Sequence, residues 1–295
     1  MADTITNSAV FSPQLITDVF AKVKGHSTLA NLSGQAPIPF TGNDLFVFTM
    51  DGEASIVGES GEKPAGEAKF TKKTIKPIKF VYQHRLTDEF VNMAEEQQLP
   101  YLEQFTEGFA KKIARALDIA AIHGVNPGTK TASDIVGTNC FDSAVTNKVV
   151  PTAGAEDEAI DDAVATIQAK DGDVTGIAMA PTYASAIGKI KASGAGTYLY
   201  PEYRFGNNPG QFGGMSADIN TTVSFNGSKD DALVGDFANA FKWGYAENVP
   251  MEIIQYGDPD GLGDLKRTNQ IVLRAEAYIG WGILDADSFA LVAGE

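Results

Sequence analysis

The side chains able to do chemistry are few in this chain of 295 residues, and their spacing fits no catalytic set. The three histidines, His26, His84 and His123, are scattered, and no H-E-x-x-H zinc motif occurs. One cysteine, Cys140, excludes a disulfide framework and a cysteine-based zinc site. Gly61 and Gly66 have the spacing of a phosphate loop, but Glu67 and Ala68 stand where Lys and Ser/Thr are required. Gly188-Lys189 lacks the upstream glycine of that motif. Gly58-Glu59-Ser60-Gly61 resembles a nucleophile elbow without its second spaced glycine, and it lies in a polar tip rather than a strand–helix turn. Asp258, Asp260 and Asp264 could surround Ca²⁺, yet the distal bidentate Glu of a twelve-residue calcium loop is missing. His123 sits near a helix end, where the dipole favours a cation, and is read as that rather than as a catalyst. No cofactor and no metal site is assigned, and the chain is not expected to be an enzyme.

Two groups with binding chemistry remain. Tyr198, Tyr200, Tyr203 and Phe205 surround Arg204, a set that could stack bases or pack between subunits. Lys63, Lys69, Lys72 and Lys73, with Phe70 and Ile75, lie in a basic stretch. Residues 62–85 carry seven basic and two acidic residues, a net +5, whereas residues 156–173 carry one basic and seven acidic, a net −6. A basic arm and an acidic body are what self-association through complementary surfaces would use; two solvated faces are the plainer alternative. The whole chain carries −15 with a pI near 4.6, which repels phosphate backbones and disfavours general affinity for DNA or RNA. A protein that surrounds nucleic acid without adhering to it stays compatible with that charge.

The elements that must position these groups are legible in the hydrophobic pattern. Leu102, Phe105, Phe109, Ile113, Ala116, Leu117 and Ala120 recur at three- and four-residue steps, predicting a helix over 100–123 with Pro100 at its start and Gly124 as its stop. Such a helix is a rod of roughly 36 Å, long enough to be a spine for other elements. Residues 44–57 and 70–82 read as two strands joined by a Gly/Pro/Glu tip, with Pro77 marking a bulge or an edge. Strands of ~14 residues would extend about 45 Å, more than a compact body of this length can cover. A lone ribbon is marginal in water, so its apolar face needs a neighbouring copy.

Residues 1–43 read as an arm with a short helix after Ser12, either a flexible terminus or an arm packed on another subunit. Residues 151–235 suggest an α/β lobe: an acidic-capped helix around Ile160–Ile167, a strand over 174–180, a helix from Pro181 to 193, and short strands at 219–225 and 232–234. Residues 241–245, 249–256, 271–278 and 289–292 alternate as antiparallel strands that return to the spine. Hydrophobic content of 43% supports a real core. No positively charged n-region with an apolar core and no membrane-length apolar run occurs, so the sequons at Asn31, Asn220 and Asn226 carry little weight.

Three pieces in order resemble the major capsid protein of tailed bacteriophages, in the Hong Kong phage fold shared with encapsulins. They are a Lys-rich hairpin before a long helix ending in DIAAIHGVNPG, a lobe containing FGGMSADI, and a terminal GDFANAFKWGYAENVPMEIIQY with IVLRAEAYIGWGILDADSFALV. The resemblance implies an α+β fold with an N-terminal arm (1–43), an extended β-hairpin loop (44–83), a peripheral domain (84–150), an α/β axial domain (151–235) and return strands to the peripheral domain (236–295). It implies a structural protein that self-assembles into hexamers and pentamers of an icosahedral head enclosing DNA, found in the virion and assembled in the bacterial cytoplasm. By the same resemblance the hairpin residues and the Tyr198–Phe205 group are subunit interfaces, the latter around capsomer axes. Implied partners are a separate scaffolding protein, since Met1 lies only about forty residues before the hairpin, a portal and a decoration protein; no membrane is implied. Some relatives crosslink a hairpin lysine to a neighbour's asparagine, but no Asn or catalytic Glu here aligns with that chemistry. An encapsulin shell around enzyme cargo, and a soluble α/β enzyme or solute-binding protein with a site near 194–216, are the alternatives.

Overall fold

A computed structural model describes residues 26–294, except 52, 53, 64, 94, 195 and 247–250; the helix expected after Ser12 lies outside the described residues. In chain order come α1 (Thr28–Leu32), β1 (Asn43–Asp51), β2 (Glu67–Ile75), β3 (Ile78–Thr87), α2 (Glu95–His123), β4 (Val125–Asn126), β5 (Thr131–Ala132), α3 (Phe141–Ala144) and β6 (Lys148–Val149). Then follow α4 (Glu156–Gln168), β7 (Gly176–Met179), α5 (Pro181–Ile187), β8 (Gln211–Phe212), β9 (Met215–Ile219), β10 (Asp230–Gly235), β11 (Phe241–Tyr245), β12 (Met251–Ile254), β13 (Gln270–Ile283) and β14 (Phe289–Ala293).

The spine is α2. Its predicted stripe is buried at Leu102, Phe109, Ile113, Ala116, Leu117 and Ala120, with Phe105 half-buried. It starts at Glu95, five residues before the expected Pro100. Pro100 is exposed and close to the helix start, where giving up one backbone bond costs least. At ~1.5 Å per residue α2 is about 43 Å long. It stops at Gly124, whose φ of +66° suits a residue without a Cβ; a Cβ there would stand 2.8 Å from Cys140 Sγ.

Two sheets lie around the spine. In the first, β13 is central: β3 pairs along one edge from Gln270↔Thr87 to Ile279↔Ile78, and β12 and then β11 pair along the other. The second has strand order β6-β14-β10-β7-β9-β8, with α4 against β14 and β10 and α1 against β7 and β9. The core is continuous across both. Phe141, from the segment after the spine, has ring centroids 4.9 Å from Phe289, 5.4 Å from Phe241 and 6.4 Å from Phe237.

Several sequence expectations change here. The strand over 70–82 is two strands: β2 ends at Ile75, and after Pro77, which cannot donate to a ladder, β3 joins the body sheet. The strand over 44–57 ends at Asp51, so the extended ribbon is β1 with β2, about 30 Å long rather than ~45 Å, and residues 78–83 belong to the body. The helix from Pro181 ends at Ile187 rather than 193, because Gly188 passes so close to the Tyr203 backbone that a Cβ would meet it at 2.9 Å. The strand at 219–225 is replaced by β9 at Met215–Ile219, followed by a turn in which Thr222 N donates to Asn220 Oδ1 at 3.2 Å. Finally, β14 does not return to the spine; it pairs antiparallel with β10 and parallel with β6 in the second sheet. Gly235 makes room for it, since a Cβ there would come 2.3 Å from the Phe289 ring.

The segment before the ribbon is neither a free terminus nor an arm on another subunit between 27 and 38. Ala36 N donates to Trp243 O at 2.8 Å, and Ile38 N to Tyr245 O at 3.3 Å. Asp118 of α2, fully buried, accepts from Ser27 Oγ at 2.5 Å, Thr28 N at 3.0 Å, Leu29 N at 3.3 Å and Thr222 Oγ1 at 3.0 Å. One carboxylate thus caps α1 from the spine and ties in the turn after β9. Burial pushes its pKa up to about 6, against the pull of those four donors.

Candidate functional site

The ribbon pairs in unbroken register from Asn43↔Ile75 to Asp51↔Glu67. Side chains alternate across a strand, so Phe46, Phe48, Phe70 and Lys72 share one face and Leu45, Val47, Lys73 and Ile75 the other. Phe46, Phe48 and Phe70 are 60%, 55% and 67% exposed, with ring centroids 5.4 and 5.8 Å apart at Phe46–Phe70 and Phe48–Phe70. Beyond them, Ile56 in the tip is fully exposed. This is a largely apolar face that the described residues of its own chain leave exposed.

The candidate hairpin residues divide accordingly. Lys63, Lys69 and Phe70 are exposed. Lys72 bridges to Asp44 within the ribbon at 2.7 Å, and that bond with Thr74 holds the Asp44 carboxyl below its usual range. Lys73 is half-buried and donates to the carbonyl of Ile283, and burial lowers its pKa. Ile75 is buried against Gly280 and Gly282 of β13. Lys73 and Ile75 therefore anchor the ribbon root to its own body instead of facing a neighbour. The reason is that glycines in β13 leave a slot that the first buried side chain of β2 fills.

The aromatic group at 198–205 also divides. Tyr203 is buried, its ring 5.7 Å from that of Phe212 and its hydroxyl donating to Gln211 O at 2.6 Å; burial pushes its pKa up to about 12. Tyr200 stands beside Phe212 at 5.4 Å and donates to Asp157 Oδ2 at 3.1 Å. Both hold the lobe together, because their hydroxyls find partners that let the rings go inside. Phe205 is presented outward, with Tyr198 and Arg204 half-buried beside it. The Arg204 guanidinium lies 3.8 Å from the Tyr198 ring centroid and 4.7 Å from that of Phe205. Phe205 is 95% exposed at a φ of +62°, a strained backbone for a bulky residue that here thrusts a bare ring into solvent.

The aspartate loop at 258–264 holds a cation of its own. Arg85 of β3 donates through Nε to Asp260 Oδ2 at 2.7 Å, through Nη2 to Asp260 Oδ1 and to Gly263 O, and through Nη1 to Gln270 Oε1 at 2.9 Å. The bidentate guanidinium lowers the Asp260 pKa to about 2. A guanidinium thus stands where sequence spacing suggested Ca²⁺.

One cluster has no signal in the sequence. His123 Nδ1 lies 2.9 Å from Asp142 Oδ2 and 3.3 Å from Asp230 Oδ2, and Nε2 lies 2.9 Å from Thr222 O. Burial opposes a charged ring, but the two carboxylates outweigh it and push its pKa up to about 10. These residues are far apart along the chain, and only the meeting of α2, α3 and β10 joins them.

The comparisons with known proteins follow the same architecture. A family model described as "Phage capsid family" matches residues 8–294. A solved structure from Mycobacterium phage Ogopogo is 33% identical, with 92% of each chain covered and a TM-score of 0.78. One from Gordonia phage Cozz is 26% identical over 92% of this chain and 87% of that one, with a TM-score of 0.73. The capsid of an empty GTA particle shares the fold at 17% identity, covering 91% and 90% of the two chains, with a TM-score of 0.63. A comparison with curated protein sequences finds no match.

Proposed function

This chain belongs to the phage capsid family and is a capsid shell protein, and from that premise we propose that it self-assembles into hexamers and pentamers of an icosahedral head enclosing viral DNA. The observation that carries the proposal is the uncovered ribbon. Nine-residue strands extend about 30 Å, and their aromatic face is exposed on its own chain. A closed shell made of repeated contacts between identical subunits supplies a cover for every ribbon.

We assign the receptor to the body of a second copy. A shallow apolar groove runs between β3 and α2, lined by Phe80, Tyr82, Phe105, Ile113, Ala116 and Ile135. It is formed by two adjoining hollows that share Tyr82 and Lys112. Lys63, Lys69 and Phe70 with Phe46 and Phe48 are the ribbon side of the contact; Tyr198, Arg204 and Phe205 are the ring-forming side of the α/β lobe. The role is mechanical and needs no catalytic residue. A net charge of −15 lets packaged DNA slide along the wall instead of adhering.

The test is negative-stain electron microscopy of the purified protein beside a variant lacking residues 59–68. Wild type forms closed shells and the deletion folds without forming them. Normal shells from the deletion variant overturn the proposal, and a 31 kDa monomer as the sole wild-type species overturns it as well. Shells filled with protein cargo in place of DNA redirect it to a nanocompartment.

A further inference from the structure

The cluster of His123, Asp142 and Asp230 joins the C-terminal end of α2, the short helix α3 and the first residue of β10, and the assembly surfaces do not use it. Its ring orientation is determined. Nε2 faces the carbonyl oxygen of Thr222 at 2.9 Å, an acceptor only, so Nε2 carries a proton. Nδ1 then points between two carboxylate oxygens at 2.9 and 3.3 Å. A bare lone pair there would face two carboxylate oxygens, so a proton, on Nδ1 or on one carboxyl, or a metal ion must lie between them.

Two observations favour the metal ion. Asp142 Oδ1 is buried without a hydrogen-bond partner among the described residues. A proton on Nδ1 leaves it so, whereas an ion held by Asp142 satisfies it through the second carboxylate bond or a bound water. Lastly, the surroundings are those of an oriented ligand set. Nε2–H is held by a backbone carbonyl, Ser228 Oγ donates to Asp230, and the imidazole stacks on Phe225. The His123 side chain is 4% exposed but that of Asp142 is 32% exposed, which leaves an entry path from solvent.

We propose that His123 Nδ1, Asp142 and Asp230 bind one divalent transition-metal ion of the Zn²⁺ class, with water completing the sphere, and that this ion clamps the end of the spine to the second sheet. One imidazole and two carboxylates without thiolate suit borderline ions such as Zn²⁺ or Co²⁺. The inference stands apart from the assembly reading and holds for one unassembled chain as well as for a shell.

The experiment uses the full chain stripped by chelator and titrated with Zn²⁺ alone. Calorimetry is expected to give about one equivalent per chain, and saturation to raise Tm by about 5 °C. Asp142→Asn is expected to weaken binding at least ~10-fold. Zn-edge absorption on wild type should show one imidazole nitrogen among oxygen ligands, and Co²⁺ loading should give visible d–d bands; neither readout depends on a variant folding. The proposal is overturned by an imidazolium with both ring nitrogens still protonated in excess Zn²⁺, by the absence of stoichiometric binding, or by binding unchanged in Asp142→Asn.

Discussion

Replacing Phe46, Phe48 and Phe70 together by serine separates assembly from folding. The three rings are 60%, 55% and 67% exposed on the isolated chain. A phenylalanine buries roughly 200 Å² when fully covered, so a neighbour can remove about 350 Å² more from water. At ~25 cal/mol per Å² this is worth up to about 9 kcal/mol per ribbon. One third of that ceiling, ~3 kcal/mol, already changes each contact equilibrium more than ~100-fold. Among the described residues the ring contacts of these three are with each other, so their loss costs the ribbon about 1 kcal/mol and leaves the body's melting transition in place. Sedimentation velocity and electron microscopy read assembly, and thermal melting of the unassembled chain reads folding. An unchanged body transition with no shells is the expected result. Normal shells at wild-type protein concentration would refute the argument that this face is covered by a second copy.

Asp118→Asn should destabilise the chain by ~3 kcal/mol in urea titration near pH 4, since a buried acceptor with four donors is replaced by an amide that must turn its own donors toward some of them. The cost depends on pH. The folded-state pKa of about 6 lies above the unfolded value near 3.9, so the acid's contribution is full below about pH 4 and is lost, by ~3 kcal/mol, as pH rises through about 6. The difference between wild type and variant should shrink over that window; growth with pH would mean the donors outweigh burial. Gly244→Ala places a Cβ 1.6 Å from Ala36 O, where the segment over 35–38 crosses β11, and should cost ~3 kcal/mol or more in the same assay. Near-neutral behaviour would mean that this crossing is not held in solution. Arg85→Lys keeps the charge but loses the fork on Asp260, so amide exchange over 257–265 should accelerate while the rest of the first sheet is unaffected. Exchange that stays unchanged there would mean the loop holds without the fork.

Periodicity carries local information well, and it located the spine. Leu102, Phe109, Ile113 and Leu117 repeat at helical steps, and a helix face is decided by residues three and four apart. The proline at 77 likewise marked a break in the strand run, since a missing N–H acts at its own position. The ribbon's polar tip and its lysines were also visible, because a stretch so poor in buried-type residues cannot enter a core. The destination of β14 was not legible: Phe289–Ala293 is an unbroken apolar run that would suit either sheet, and the space left by Gly235 beside Phe141 and Phe237 selects the second. Tyr203 and Phe205 are two residues apart and of similar type, yet one ring is buried and the other bare, because the chain reverses hand at Phe205. Ile75 and Lys73 looked like interface residues until the glycines of β13 opened a slot for them. His123, Asp142 and Asp230 have no common motif at all. Residue types and short spacings determined which segments are helix, strand and tip. Which strands pair, which aromatic faces outward and which three distant side chains meet at one nitrogen were decided only by packing, whose contacts join residues that sequence order keeps apart.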